Sequence, residues 1–123
     1  LARYTQIDYW REMALVAEVD RTPGSAPESA APTRSAGVAR YMLNPDMHSC
    51  EFAIAIGDAW QGQGLGVQLM QALIDVARAR GLKHMEGMVL AENSKMQKMM
   101  RRLGFSVRLD PDDSSMLLVS LAL

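Results

Sequence analysis

The sequence predicts a single mixed α/β layer domain, and three observations carry that reading. Strand-length apolar runs recur along the chain, two longer segments have helical spacing, and the order is strand, strand, strand, helix, strand, helix, strand, strand. At 123 residues and 13.6 kDa the chain has the length of one domain, residues 1–123, with one continuous core and no internal repeat.

Taken in order, residues 1–11 mix aromatic and polar side chains and read as helix or irregular structure. Residues 13–19, MALVAEV, form an apolar run of strand length. Residues 22–36 hold three of the five prolines among Gly, Ser, Thr and Ala, and read as a loop. Residues 38–43 and 50–56 are two strands about the turn Asn44-Pro45-Asp46, an antiparallel hairpin.

A helix is expected from about residue 64 to 80, with Leu65, Leu69, Leu73 and Val76 inward. Its polar stripe is Gln68, Gln71, Asp75 and Arg78, and Gly81 is the stop. Residues 84–90 form a strand. Asn93 is an N-cap for a second helix with an apolar stripe of Met96, Met99, Met100 and Leu103, ending at Gly104. Residues 105–109 and 116–121 are the last strands, around the turn DPDDS.

Composition excludes several functions. Apolar residues at 49% and charged residues at 22% are ordinary for a soluble domain, and no apolar run approaches the ~18 residues of a membrane span. A formal net charge of −1 gives no electrostatic footprint for nucleic acid or an anionic membrane surface. One cysteine, Cys50, excludes an internal disulfide, and with two histidines it leaves no zinc-like constellation, so no metal is expected. A cytoplasmic location is the simplest reading. The chain opens on Leu1 rather than Met, which reads as a piece of something longer. The ten methionines read as adaptable core filler.

The chemistry concentrates at residues 60–66, WQGQGLG, where a strand enters a glycine-rich turn and then a helix. Free backbone N–H groups and the positive end of a helix dipole converge there, which favours a small anion such as a phosphate. Glycine-rich turns of this kind also occur as plain tight turns. Two other phosphate motifs fail. A dinucleotide fingerprint on Gly62 and Gly64 needs a small residue where Val67 stands, and a P-loop needs a lysine, of which there is none before Lys83.

Gln61-Gly62-Gln63-Gly64-Leu65-Gly66 resembles Q/R-x-x-G-x-G/A, the acetyl-CoA pyrophosphate loop of the GNAT family of N-acetyltransferases. Asn93, followed by a helix ending Arg102-Leu103-Gly104-Phe105, is similar to a second segment of that family. TQIDYWREMALVAEV and GMVLAENSKMQKMMRRLGF look like the acetyltransferase domain of bacterial Pat-type protein lysine acetyltransferases, often fused to an acyl-CoA-synthetase-like region.

The resemblance implies a GNAT-like fold, with a central mixed, mostly antiparallel sheet flanked by helices. In the family a first strand and helix precede the point where this chain begins. It also implies acetyl-CoA as cosubstrate and direct acetyl transfer to the ε-amine of a protein lysine. The backbone of Ile54, Ala55 and Ile56 would bond the pantetheine arm, residues 61–66 would take the pyrophosphate, and Asn93 would bond the arm as well. A small amine or protein N-terminus as acceptor, or an acyl-CoA sensor without turnover, are the alternatives.

Alternation along residues 50–56 puts Phe52, Ile54 and Ile56 on one face and Glu51, Ala53 and Ala55 on the other. Similar enzymes place a glutamate on this strand as general base, which makes Glu51 the candidate and Glu86 the reserve. Without that similarity, a strand-end glutamate is ordinarily a solvated surface charge. Many members carry a tyrosine seven residues after the asparagine to protonate the leaving thiolate. This chain has Met100, which cannot donate a proton. Cys50 points away from Glu51 and reads as packing. Lys95, Lys98, Arg101 and Arg102 read as a solvated helix face that could also meet the 3′-phosphate of coenzyme A.

Overall fold

The computed structural model of the chain describes residues 2–9, 11–20, 33–57, 61–62 and 64–123, the first strand by its backbone. The element order is β1 (Ala2–Tyr9), β2 (Glu12–Asp20), β3 (Thr33–Leu43), β4 (Ser49–Ile56), α1 (Leu65–Ala79), β5 (His84–Leu90), α2 (Ser94–Arg102), β6 (Ser106–Asp110) and β7 (Asp113–Ala122). These strands make one seven-stranded sheet in the order β1-β2-β3-β4-β5-β7-β6. All neighbours are antiparallel except β4 and β5, which run parallel. The expected α/β layer with a mixed, mostly antiparallel sheet is therefore what the chain forms.

Three boundaries differ from expectation, the last being β7, which starts at Asp113 within the expected turn DPDDS. Residues 2–9 are strand, not helix or irregular. Tyr4, Thr5, Ile7 and Tyr9 are strand formers, and the segment zips along β2 from Ala2↔Val19 to Tyr9↔Glu12. Strand β3 also reaches back to Thr33, into the stretch read as loop, and pairs with β2 across a bulge between Ala17 and Glu18. Its small residues are there for packing rather than for a turn. A Cβ on Gly37 would lie 2.7 Å from Ile56 Cδ1 and 3.2 Å from Leu69 Cδ1, and Ala36 is buried beside it. The remainder of that predicted loop, residues 21–32, lies outside the described residues.

The sheet's inner face is apolar and covered. Met13, Leu15 and Ala17 of β2, Ala39 and Tyr41 of β3, Cys50 and Phe52 of β4, Met85 and Val89 of β5, and Leu117 and Val119 of β7 are all buried there. Helix α1 closes it with Leu65, Leu69, Met70, Leu73, Ile74 and Ala77; Val76, expected inward, is only half-buried. Each fully buried Leu or Met of this set contributes about 1.5–3 kcal/mol of apolar transfer. Helix α2 adds Met100, fully buried, with Met96, Met99 and Leu103 half-buried around it. Methionine as core filler is thus borne out at Met13, Met70, Met85 and Met100.

The outer face carries no described helix. No helix among the described residues is long and apolar enough to cross a membrane.

Candidate functional site

The parallel pair at the sheet's centre is short. Strands β4 and β5 share only Ser49↔His84, Cys50↔Met85 and Glu51↔Glu86, while β4 runs on to Ile56 and β5 to Leu90. Beyond Glu51 the two strands stay paired to β3 and β7 but not to each other. The result is a fork whose arms present unpaired backbone groups inward, groups that need a partner if anything excludes water from them.

The apex of the fork is packed from below. One step past the last paired residues, a Cβ on Gly87 would fall 2.4 Å from Phe52 Cε2, so the Phe52 ring lies directly against the Gly87 backbone. The ring is held in turn by Phe105, edge-on at 5.5 Å and 61°.

At the open end, β4 passes into the glycine turn. Gly62 and Gly64 have φ of +78° and +80°, the left-handed region, and a Cβ on either would meet nothing within 4 Å. Glycine is thus required by backbone conformation, and the space beside it is open. Gly64 is the N-cap of α1 and offers no side chain, and the first intrahelical bond comes only from the Gln68 N–H to the Gly64 carbonyl at 3.1 Å. The amides of the first turn are left pointing out, with no acidic residue in that turn to answer them. A phosphate-sized anion fits this chemistry.

Of the remaining loop residues, Gln61 donates from Nε2 to the Ile56 carbonyl at 3.2 Å and ties the turn to the strand end. Leu65 is a core residue. Gly66 faces α2, where a Cβ would lie 3.1 Å from Met99 Sδ, so its smallness serves helix packing as well. Gln63 and Trp60 lie outside the described residues. Asn93 caps α2, its Oδ1 accepting from the Met96 N–H at 3.1 Å, and stands just past the end of β5 with its NH₂ group not used by that bond.

Alternation on β4 is as expected: Phe52 is buried and Ile54 and Ile56 half-buried on the inner face, whereas Glu51, Ala53 and Ala55 are exposed on the outer one. Glu51 and Glu86 sit opposite each other in register at the apex, so the two glutamates share one spot on the outer face. The Asn44 amide donates 2.8 Å bonds to both Glu86 Oε1 and Ser49 Oγ, fixing one of the two carboxylates. Two clefts meet at Glu51. One, about 220 Å³, runs over β2–β4 past Glu12, Arg40 and Asn44; the other, about 230 Å³, runs over β5, β7 and β6 past Glu86, Ser120 and Arg108. Asn44 and Arg108 had no assigned role in the sequence. Their places depend on strand register, which no local pattern reveals.

The other titratable side chains and their neighbours lie elsewhere. Cys50 is fully buried, its Sγ 3.6 Å from the His84 carbonyl, and burial, with the nearby Glu86 charge, pushes its thiol up to about 12. Tyr41 and Met100 are buried as well. Lys95, Lys98, Arg101 and Arg102 are exposed along α2. No group of histidine, cysteine and carboxylate among the described residues could hold a metal ion.

Comparison with known proteins agrees with this geometry. The acetyltransferase (GNAT) family profile matches residues 3–105. An acetyltransferase of Pseudomonas aeruginosa is 37% identical over the whole chain, which spans 62% of that relative's length. An L-methionine sulfoximine/L-methionine sulfone acetyltransferase of Pseudomonas aeruginosa is 44% identical over 57 residues, 46% of this chain and 33% of that one. Acetyltransferase Pat of Mycolicibacterium smegmatis is 44% identical over 54 residues, 44% of this chain and 16% of that protein. Among solved structures, the GNAT domain of S. lividans Pat superposes with a TM-score of 0.74 at 23% identity, covering 97% of this chain and 65% of that one, a likeness of fold. The strand fork, the glycine turn at its mouth and the match over most of the chain lead to one conclusion: this chain belongs to the GNAT family of acetyltransferases.

Proposed function

We propose that the chain holds acetyl-CoA along the fork between β4 and β5 and transfers the acetyl group to a primary amine, with Glu51 as general base. The observation that carries this is the parallel pairing that stops at Glu51↔Glu86 and opens toward an acid-free helix N-terminus. A pantetheine arm offers amides at the spacing of a strand, so it can pair with the backbone of Ile54, Ala55 and Ile56. Ala53 and Ala55 leave room beside it. The pyrophosphate falls to the amides of residues 61–66, the coenzyme's 3′-phosphate lies within the charge field of α2, and Asn93 contributes its NH₂ group to the arm.

The acceptor amine starts as an ammonium of pKa near 10.4 if it is a lysine, so making it neutral at pH 7 costs about 4.6 kcal/mol. Glu51, exposed on the outer face, takes a proton from the amine directly or through water. The nitrogen attacks the thioester carbonyl, whose developing oxyanion is met by a strand N–H in the fork. The C–N bond forms, the attacking nitrogen gives its second proton to solvent, the C–S bond breaks, and the thiolate takes its proton from solvent. Met100 has none to give, and Cys50 and Tyr41 face the core. Net, one ammonium and one thioester become an amide, a thiol and a proton.

For the acceptor, similarity to the Pat enzymes supports a protein lysine ε-amine. A small-molecule amine is the second reading, supported by similarity to the methionine sulfoximine enzyme and by an outer-face cleft that holds Arg108 together with the carboxylates of Glu51 and Glu86. Calorimetry with acetyl-CoA, followed by thiol release with a lysine peptide and with small amines, tests the reading. Glu51→Gln should lower turnover by about 100-fold with acetyl-CoA affinity nearly unchanged. Undiminished turnover removes Glu51 from the mechanism.

A further inference from the structure

If Glu51 takes the amine's proton, the acceptor must lie on the outer face of the sheet, because that is where the Glu51 side chain stands. Two clefts reach it there, and they differ in charge. In the β2–β4 cleft, Arg40 shares the lining with Glu12, a carboxylate of the adjacent strand placed diagonally to it in register. In the β5–β7–β6 cleft, Arg108 is the only cation among the described residues, sharing the lining with Glu51, Glu86, Met88 and Leu118. Arg108 is exposed and makes no ion pair among the described residues.

We infer that Arg108 is a carboxylate subsite and that the acceptor is a small zwitterion, an α-amino acid with an apolar side chain. This rests on the acetyltransfer reading above and narrows its acceptor. The sheet register sets the scale: Arg108 is opposite Leu118, Leu118 is opposite Met88, and Glu86 is two residues before Met88. Two strand spacings across and two residues along place the Cα atoms of Glu86 and Arg108 about 12 Å apart, with both side chains rising from the same face. An α-amino nitrogen and its carboxylate carbon are roughly 2.5 Å apart. Adding a hydrogen bond of about 2.8 Å at each end gives a span of roughly 8 Å, which a guanidinium and a carboxylate at that separation can bracket. The ammonium then lies at the Glu51–Glu86 apex beside the fork, the carboxylate forks onto Arg108, and the side chain lies against Met88 and Leu118. A lysine within a protein brings the ammonium but no free carboxylate at this distance, and leaves Arg108 unused.

The test measures acetyl transfer by the wild-type chain to L-leucine and L-methionine, to L-leucinamide and L-methioninamide, and to Nα-acetyl-L-lysinamide. Arg108→Gln and Arg40→Gln are run in parallel. The expected result is that each free acid exceeds its amide by about tenfold to a hundredfold in kcat/KM, and that Arg108→Gln removes that preference while leaving the KM for acetyl-CoA in place. The loss is confined to acceptors bearing a carboxylate, which a merely structural role for Arg108 would not produce. Equal use of acid and amide, a preference lost on Arg40→Gln but kept on Arg108→Gln, or transfer to the lysine derivative alone would overturn the subsite while the acetyltransfer reading stands. Transfer to no amine at all would overturn both.

Discussion

Gly87→Ala probes the apex of the fork most directly. The added Cβ would stand 2.4, 2.7 and 2.8 Å from Cε2, Cζ and Cδ2 of Phe52, where non-bonded carbons rest at about 3.5–4.0 Å. The ring must therefore withdraw by about 1 Å. It has little freedom to do so, since Phe52 is only 7% exposed and Phe105 packs against it. Overpacking of this kind costs roughly 1–3 kcal/mol, and at about 4 °C per kcal/mol for a chain of this length the melting temperature should fall by about 4–12 °C. Thermal unfolding followed by circular dichroism measures it. Phe52→Leu relieves the clash, so the double variant should be more stable than the sum of the single losses by about 1 kcal/mol or more. Because this contact sits one residue beyond the last paired position, acetyl-CoA affinity should fall with stability. Wild-type melting of Gly87→Ala, or strict additivity in the double variant, would refute the packing argument.

Two further perturbations follow from the same geometry. Gly64→Ala forces a side chain into φ +80° at the cap of α1, costing about 1–2 kcal/mol, and should weaken acetyl-CoA binding in calorimetry far more than Ala53→Gly, which leaves the turn alone. Cys50 gives an alkaline limit. Its thiol is pushed up to about 12 in the folded chain, above the ordinary value near 9 it has when unfolded. The unfolded state therefore loses this proton first, and the stability present below pH 9 should decline from there toward pH 12, a slope visible in urea midpoints and absent in Cys50→Ala.

Local pattern made the helices and the core legible. The spacing of four between Leu65, Leu69 and Leu73 and the Asn93 cap place α1 and α2 within a residue or two of their observed ends. Strand ends were harder, for a physical reason: small residues signal both turns and close packing. Ala36 looked like loop, yet it is buried, and Gly37 beside it is small because Leu69 and Ile56 press against it. Residues 2–9 looked irregular because their pairing with β2 is decided by the partner strand, not by their own pattern.

The candidate site divides along the same line. Gly62 and Gly64 announce the left-handed turn before α1 because backbone conformation writes itself into glycine. The facing of Glu51 and Glu86, each named singly from the sequence, and the places of Asn44 and Arg108 leave no such trace, since they depend on register. That register begins at the β3–β4 turn, where Asp46 accepts from the His48 and Ser49 N–H groups and from Ser49 Oγ, holding its own carboxyl below the usual range. Met47 completes the turn at φ 65°. From there each residue of β4 alternates faces, and a slip of one would turn Glu51 into the core and bring Cys50 to the outer surface. Whether this strand shows a carboxylate or a thiol on its outer face is thus decided several residues earlier, by an aspartate that lines neither of the clefts at Glu51.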